Sequence, residues 1–400
     1  MLDDSDVLGD IGVTVRQAGA EDAVSGVRPR WVALPESVEE VAALLRACAE
    51  RDLAVVPAGG GTKLHWGRPP ERCDVLLDMC CMNEILEHAA GDLVVRTQAG
   101  VTMEALAAAL AEQGQELALD PPFAEHTTVG GTLATATAGP RAFRYGTARD
   151  LLIGITVVLP DGTIAKSGGK VVKNVAGYDL GKLFTGSQGT LGVIAEATFR
   201  LHPLPADRRW VTAELDRAEV APVAAALAAS QAEPSAVEVD WPDPAGPISL
   251  AVLVEGTEAE ARALAVRELV GKGSVTGERP SWWGLIQRDE VLVEVRFPTT
   301  ATRAVLDAAA ETGFALRGSP VTGRVLLEPW RPVGESELAA AVSGLRATVE
   351  SAGGRVNVLA APYAGVERWG QVSGLPLMRR VKERFDPGRV MSPGRFLGGI

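Results

Sequence analysis

The chain has 400 residues, 46% of them hydrophobic and 22% charged, with a formal net charge of −12. That length supports two domains with substantial cores, and that charge argues against a nucleic-acid surface or an anionic-membrane anchor as the main activity. An anionic ligand must be held by local geometry, because the overall field repels it.

The opening MLDDSDVLGD lacks the basic start and apolar core of a signal peptide. No uncharged apolar run approaches the roughly 18 residues of a membrane span, so the chain reads as cytoplasmic. RWVAL, Arg30 to Leu34, is a first strand, and Ser37-Val-Glu-Glu40 is a capping box for a helix reaching about Arg51. LAVVP, DVLLDM and GDLVVRTQAG supply further strands, and VTMEALAAALAEQG supplies a long amphipathic helix. LLIGITVVLP and GVIAEATFRL are buried strands. Residues 1–205 thus read as one mixed α+β domain rich in glycine loops.

Past Pro203-Leu-Pro205 the texture changes. RWVTAEL, ISLAVLVEG, VLVEVRFP and RVLLEP are each followed by a helical stretch, which predicts a sheet covered by helices on one face. This α+β unit is expected to span residues 206–354. Residues 355–400 then carry one more strand (RVNVLAAP), a basic helix and the turn-rich FDPGRVMSPGRF, returning to the first domain. Cys48, Cys73, Cys80 and Cys81 form no CxxC pair, so they read as reduced, mostly buried thiols, with no metal and no iron–sulfur cluster.

The informative stretch is VVPAGGGTKL, Val55 to Leu64. Three glycines after a strand are costly to order, so they mark a place where side chains would interfere. A dinucleotide fingerprint fails because Leu64 stands where its last glycine belongs, and no G-x-x-x-x-G-K-[ST] surrounds Thr62-Lys63. What remains is either a plain turn or a concave nest of main-chain N–H groups for an anion. Three more small-residue motifs follow: TTVGGTLATATAG from Thr127, KNVAGYDLG from Lys173 and GSQGTLGVI from Gly186.

In this order, PAGGGT, PPF…TTVGGTLAT…AGP, YGTARDLLIG and GYDLGKLFTGSQGTLGVI, the motifs resemble the FAD-binding domain of the vanillyl-alcohol oxidase/p-cresol methylhydroxylase family of FAD-linked oxidases. VKERFDPGRVMSPGRF resembles the close of its hydroxy-acid-oxidising branch. The resemblance implies a two-lobed FAD-binding domain of that type with an α+β cap domain. It further implies that Pro57, Ala58, Gly59, Gly60, Gly61, Thr62 and Lys63 cradle the FAD diphosphate. Pro122, Thr128, Gly130, Gly131, Thr135 and Ala138 would border the flavin and its ribityl chain, and the run from Gln188 to Ile194, with Gly189, Thr190, Gly192, Val193 and Ile194 in it, would hold the adenine side through main-chain atoms. Some relatives link their flavin through a histidine in the first loop. Thr62 stands at that position here, so FAD is expected to be non-covalent.

Oxidising a 2-hydroxy acid needs a cation for the carboxylate and a base for the hydroxyl proton. The four histidines, His65, His88, His126 and His202, all precede residue 203, which leaves the second half without a histidine metal site. Arg144, Tyr145, Arg296 and Arg395 are candidate substitutes, each with a packing or surface alternative, and no catalytic residue is assigned. Tyr178 and Asp179 read as structural. Lys166, Lys170, Lys173 and Lys182 form a locally basic stretch, either solvated or a docking surface. Trp282-Trp283 reads as core packing or a contact surface. The expected activity is oxidation of glycolate or D-lactate with a sister flavoprotein and an iron–sulfur subunit as partners. The alternative is a non-catalytic FAD-holding partner.

Overall fold

The computed structural model describes residues 8, 11–169, 179–286 and 290–400. Lys170, Lys173, Tyr178 and most of the motif beginning at Lys173 therefore lie outside the described residues. The chain divides into two compact units. The first comprises Met1–Ala138, Thr147–Leu204 and Ser373–Ile400, and the second Gly139–Gly146 and Pro205–Val372.

The first unit holds two main sheets. One runs in the order Thr14–Gln17, Trp31–Leu34, Val75–Asp78, Val55–Ala58, its last three strands parallel. The helix Val38–Glu50 makes the crossover and buries Val41, Ala42, Leu44, Leu45, Ala47 and Cys48. Ser37 caps it by accepting from the Glu40 N–H at 3.2 Å, while the Glu40 carboxylate reaches back to the Glu36 N–H at 2.9 Å, one residue before the expected partner. The second sheet, Ile85–Ala89, Val94–Gln98, Val193–Arg200, Leu152–Val158, Ile164–Gly168, is antiparallel throughout. Its apolar face packs with Leu106, Leu110, Leu133, Phe184 and Phe199 into one core.

The second unit is an eight-stranded sheet in which every pairing is antiparallel. Its elements follow the order βαββαβ twice: from the strand Arg208–Leu215 to Ser274–Thr276, then from Leu292–Arg296 to Arg355–Ala360. Within each half the first strand lies between the third and fourth, which is the split βαβ arrangement of ferredoxin-like folds. The halves join edge to edge where Val239, Asp240 and Trp241 pair with Gly318, Arg317 and Leu316. Val237, Val239, Ile248, Leu250, Val293 and Val295 face one core together with the helical residues Leu227, Val266, Leu306 and Leu345.

Two boundaries differ from the sequence expectation. Arg355–Ala360 pairs with Leu292–Arg296 as the sheet's edge strand, so the chain re-enters the first unit at Ser373 and not at 355. Gly139–Gly146 joins the second unit because Phe143 packs on its core and Arg141 pairs with Glu255 at 3.2 Å. The cysteines also differ in part: Cys48 and Cys73 are buried, with burial pushing both thiols up to about 12, but Cys80 is exposed. Its Sγ lies 3.8 Å from that of Cys81, so the two are not bonded.

Candidate cofactor site

The parallel strand Val55–Ala58 runs straight into the glycine loop. Among the described residues the main-chain N–H groups of Gly60, Gly61, Thr62 and Lys63 have no internal acceptor. A row of free N–H groups is a ready anion site. The loop is seated by its neighbours: a Cβ on Gly60 would fall on the His126 carbonyl, and one on Gly59 would strike the Thr128 hydroxyl. Gly61 is different, with φ +70° and room for a Cβ, which would meet only Leu64 Cδ1 at 3.9 Å.

A cleft of about 640 Å³ opens along this loop, lined by Val56 to Leu64 with Trp66, Thr128, Gly131, Ala134, Thr135, Gln188, Gly189 and Arg395. A second cleft of about 400 Å³ shares Pro57, Ala58, Gly59, Thr128, Gly131, Ala134 and Gly189, and adds Met79, Ala99, Gly130, Ser187, Gly192 and Ile194. The two therefore form one channel with walls of main chain and small side chains. Gly130 has Ala99 pressed against it, since a Cβ there would lie 2.8 Å from the Ala99 Cβ. Gly189, at φ +72°, lets Pro57 approach to where its own Cβ would be.

Lys63 is buried, 8% exposed, and donates to the hydroxyls of Thr127 at 3.0 Å and Thr62 at 3.2 Å. The Thr127 hydroxyl donates its own hydrogen bond to the Pro122 carbonyl at 2.9 Å, which leaves its lone pairs for the lysine. Burial pushes the ammonium down to about 8. Arg395 is 5% exposed and donates from Nη2 to the carbonyls of Leu64 and Trp66 at 2.8 and 2.9 Å. Burial pulls it down to about 10. Among the described residues no carboxylate pairs with either cation. The Arg395 Nη1, Gln188 Oε1, Ser187 Oγ and Ser392 Oγ are buried with no partner among the described residues. Free N–H groups, unpaired cations and orphaned polar atoms around a small-residue channel fit a group that is dianionic in its middle and extended on both sides, as the diphosphate of FAD is.

Most sequence-picked residues gather on these walls. Pro122, Ala138, Thr190 and Val193 do not line either cleft. Pro122 supports Thr127, and the Thr190 hydroxyl donates to the Ser187 carbonyl at 2.7 Å within its own turn. Gln188, expected with the run to Ile194, lines the first cleft, whereas nothing in their residue types marks Val56, Leu64, Trp66, Met79, Ala99, Ala134 and Ser187, which line the clefts as well. Arg395, a candidate for substrate in the sequence, lines the same cleft as the glycine loop.

The other candidates are committed elsewhere. Tyr145 donates to Glu255 at 3.3 Å, a carboxylate that also binds Arg141 and Arg208. Arg144 donates to the Glu233 carbonyl at 3.2 Å. Arg296 pairs at 2.9 Å with Glu294, a buried carboxyl whose burial alone would raise it and which Arg324 and Arg296 hold down at about 2. Asp179 caps the short helix Leu180–Phe184 and pairs with Lys182 at 3.2 Å, while Lys166 is exposed. Trp283 is core, packed with Trp210, Ala236, Ala251 and Leu253, and so offers no contact surface. No group of histidine, cysteine, aspartate or glutamate among the described residues is arranged to hold a metal, and no described helix is long and apolar enough to cross a membrane.

Residues 29–168 match a family model described as an FAD binding domain, and this match takes in the glycine loop and the first wall of the channel. The fold is that of the vanillyl-alcohol oxidase/p-cresol methylhydroxylase flavoenzymes: p-cresol methylhydroxylase with substrate bound superposes with a TM-score of 0.76 at 17% identity, over 98% of this chain and 95% of that one. Among curated proteins, glycolate oxidase subunit GlcD of Bacillus subtilis is 36% identical over 193 residues, which is 48% of this chain and 41% of that protein. The mitochondrial D-lactate dehydrogenase [cytochrome] 1 of Saccharomyces cerevisiae is 39% identical over 182 residues, 44% of this chain and 30% of that one. The chain thus spans less than half the length of the curated relatives it matches.

Proposed function

We propose that this protein is an FAD-dependent oxidoreductase of small 2-hydroxy acids, glycolate or D-lactate, acting as the FAD-binding subunit of a multi-chain dehydrogenase. The observation that carries the reading is a coincidence in sequence. The stretch that builds the glycine loop and the first channel wall lies within the residues that match an FAD binding domain, and a glycolate oxidase subunit and a D-lactate dehydrogenase share 36–39% identity with this chain over 193 and 182 residues. When bound, the flavin supplies a hydride acceptor. The chain's own residues do the holding: Gly60 to Lys63 offer N–H groups to the diphosphate, and Gly130, Gly131 and Ala134 leave room for a flat or extended group against main chain. FAD is held without a covalent link, since Thr62 and not histidine faces the channel.

A second reading, an FAD-holding partner whose sister flavoprotein performs the chemistry, is favoured by one specific observation. Residues 203–400 contain no histidine, and Tyr145 and Arg296 are already bound to glutamates. A sister flavoprotein and an iron–sulfur subunit would then complete the enzyme. The reading includes a cytoplasmic location, with any membrane association made through partners.

The test is spectroscopic. The purified protein should be yellow, acid precipitation should release the flavin into the supernatant, and anaerobic glycolate or D-lactate should bleach the flavin of the assembled complex. A colourless chain that cannot be reconstituted overturns the flavoprotein reading. Colour retained in the acid pellet overturns only the non-covalent part. A complex that neither acid bleaches overturns the substrate assignment.

A further inference from the structure

We propose that Lys63 and Arg395, drawn from opposite ends of the chain, form a dicationic clamp for the diphosphate of the cofactor, an inference that rests on the FAD reading of the channel. The walls of both clefts carry no other charged side chain. Two buried cations without carboxylates are costly unless an anion joins them. In a protein of net charge −12 this is also the arrangement that would overcome long-range repulsion of a dianion.

Arg395 could be regarded as a strut alone, because its Nη2 fastens the carbonyls of Leu64 and Trp66. A strut would leave Nη1 buried and without an acceptor, which is how it stands. The surroundings are built to bring it there. Gly67, at φ +81°, has the Arg395 carbonyl 2.9 Å from where a Cβ would sit, so any side chain at 67 would push the C-terminal segment away. Ser392 Oγ, also buried and unpartnered, lies 3.3 Å from where a Cβ on Gly189 would be. The segment itself is pinned by Lys382, whose ammonium donates to Asp386 at 2.6 Å, Met391 O at 2.8 Å and Thr190 O at 2.7 Å. Asp386 in turn accepts from the Val390 and Met391 N–H groups at 3.0 and 2.9 Å. The C-terminal turn therefore delivers a preorganised guanidinium to the channel, and the glycine loop delivers the ammonium.

The experiment uses the full chain stripped reversibly of flavin and titrated with FAD, ADP and riboflavin. Arg395→Gln and Lys63→Gln should each weaken FAD and ADP by about 10- to 100-fold, as expected for one charge-assisted contact, and leave riboflavin, which has no phosphate, unchanged. Inorganic pyrophosphate should raise the melting temperature of the wild-type apo-protein and not that of Lys63→Gln, a reading that stands even if Arg395→Gln fails to fold. Unchanged FAD and ADP affinity in the variants, or an equal loss for riboflavin, overturns the clamp. A wild-type chain that binds FAD but is indifferent to pyrophosphate and to ADP overturns the clamp alone. One that takes up no flavin overturns the FAD reading with it.

Discussion

Gly60 and Gly61 stand side by side in the loop and are glycines for different reasons. Gly60 has its missing Cβ turned inward onto the His126 carbonyl, whereas Gly61 holds a left-handed backbone where a Cβ would make only an ordinary contact with Leu64. The sequence alone suggests that a side chain at Gly60 would block the ligand and spare the fold. The structure reverses this, because the clash is with main chain. Gly60→Val should lower the melting temperature of the flavin-free protein and abolish FAD binding, while Gly61→Ala should cost only about 1–2 kcal/mol of backbone strain and keep FAD. Melting curves and flavin content read both, and a Gly60→Val protein that melts like wild type removes the argument. Lys63 gives a prediction with opposite signs. Its ammonium is pushed down to about 8 in the folded chain, so the folded state binds fewer protons than the unfolded state above that pH. Stability of the apo-protein should therefore rise as pH climbs from 8 toward the ordinary lysine value. A bound dianion favours the charged lysine, so FAD affinity should fall over pH 8 to 9, where Arg395, at about 10, remains charged. Lys63→Met should flatten both curves, measured by chemical melts and flavin titration. That side chains would interfere in this loop was legible from its glycines. Which glycine packs and which one strains was not, because His126 reaches Gly60 only through the tertiary fold.

At the scale of elements, the sequence was readable wherever burial and polarity agree. Val75–Asp78, Leu152–Val158 and Ile248–Glu255 are apolar runs and form strands as expected. Ala236–Trp241 was missed because AVEVDW alternates valine with two carboxylates that are themselves buried, and Asp240 is tolerated there only because Arg317 meets it at 2.7 Å from the neighbouring strand. Ala315–Ser319 was missed for the complementary reason, carrying that arginine and a Gly318 with φ +145°. With both absent, the doubled βαββαβ plan could not be seen, only its four strand-helix pairs. The Lys382–Asp386 pair hides in the same way. Spaced i, i+4 it looks like an exposed helix pair, yet both side chains are buried and tie the helix Leu375–Phe385 to Met391 and to Thr190 beside the channel. Removing one partner of a buried pair typically costs about 3–5 kcal/mol. Lys382→Met should therefore lower the urea midpoint of the holo-protein and speed FAD release, since the Thr190 turn and the Arg395 segment lose a common anchor. An unchanged midpoint and release rate would show that the pair is dispensable.

For the whole molecule, the distribution of chemistry along the chain matters more than its amount. The first unit concentrates what the proposed FAD site draws on: main-chain donors, two cations with no carboxylate partner among the described residues, and small-residue walls. The second unit is rich in arginine and carboxylate, but these neutralise one another across the sheet, as Arg324 and Arg296 do on Glu294, Arg317 on Asp240, and Arg208 on Glu255. A cation already paired at 2.7 Å must surrender a carboxylate before it can take a substrate's, and no histidine follows residue 202 to act as base. Loss of a positioned general base commonly costs about 10²–10⁴-fold in rate. The isolated chain is therefore expected to carry its full complement of FAD and yet oxidise glycolate and D-lactate that much more slowly than an assembly with a sister flavoprotein and an iron–sulfur subunit. Steady-state turnover per flavin with an artificial acceptor, measured for the single chain and again after co-purification with those partners, makes the comparison. Occupancy must be matched in the two samples, so that a rate difference reports the missing acid–base groups and not missing cofactor. Rapid turnover by a monodisperse single chain would mean that one of these arginines leaves its glutamate on substrate binding, and that this polypeptide is a dehydrogenase in its own right.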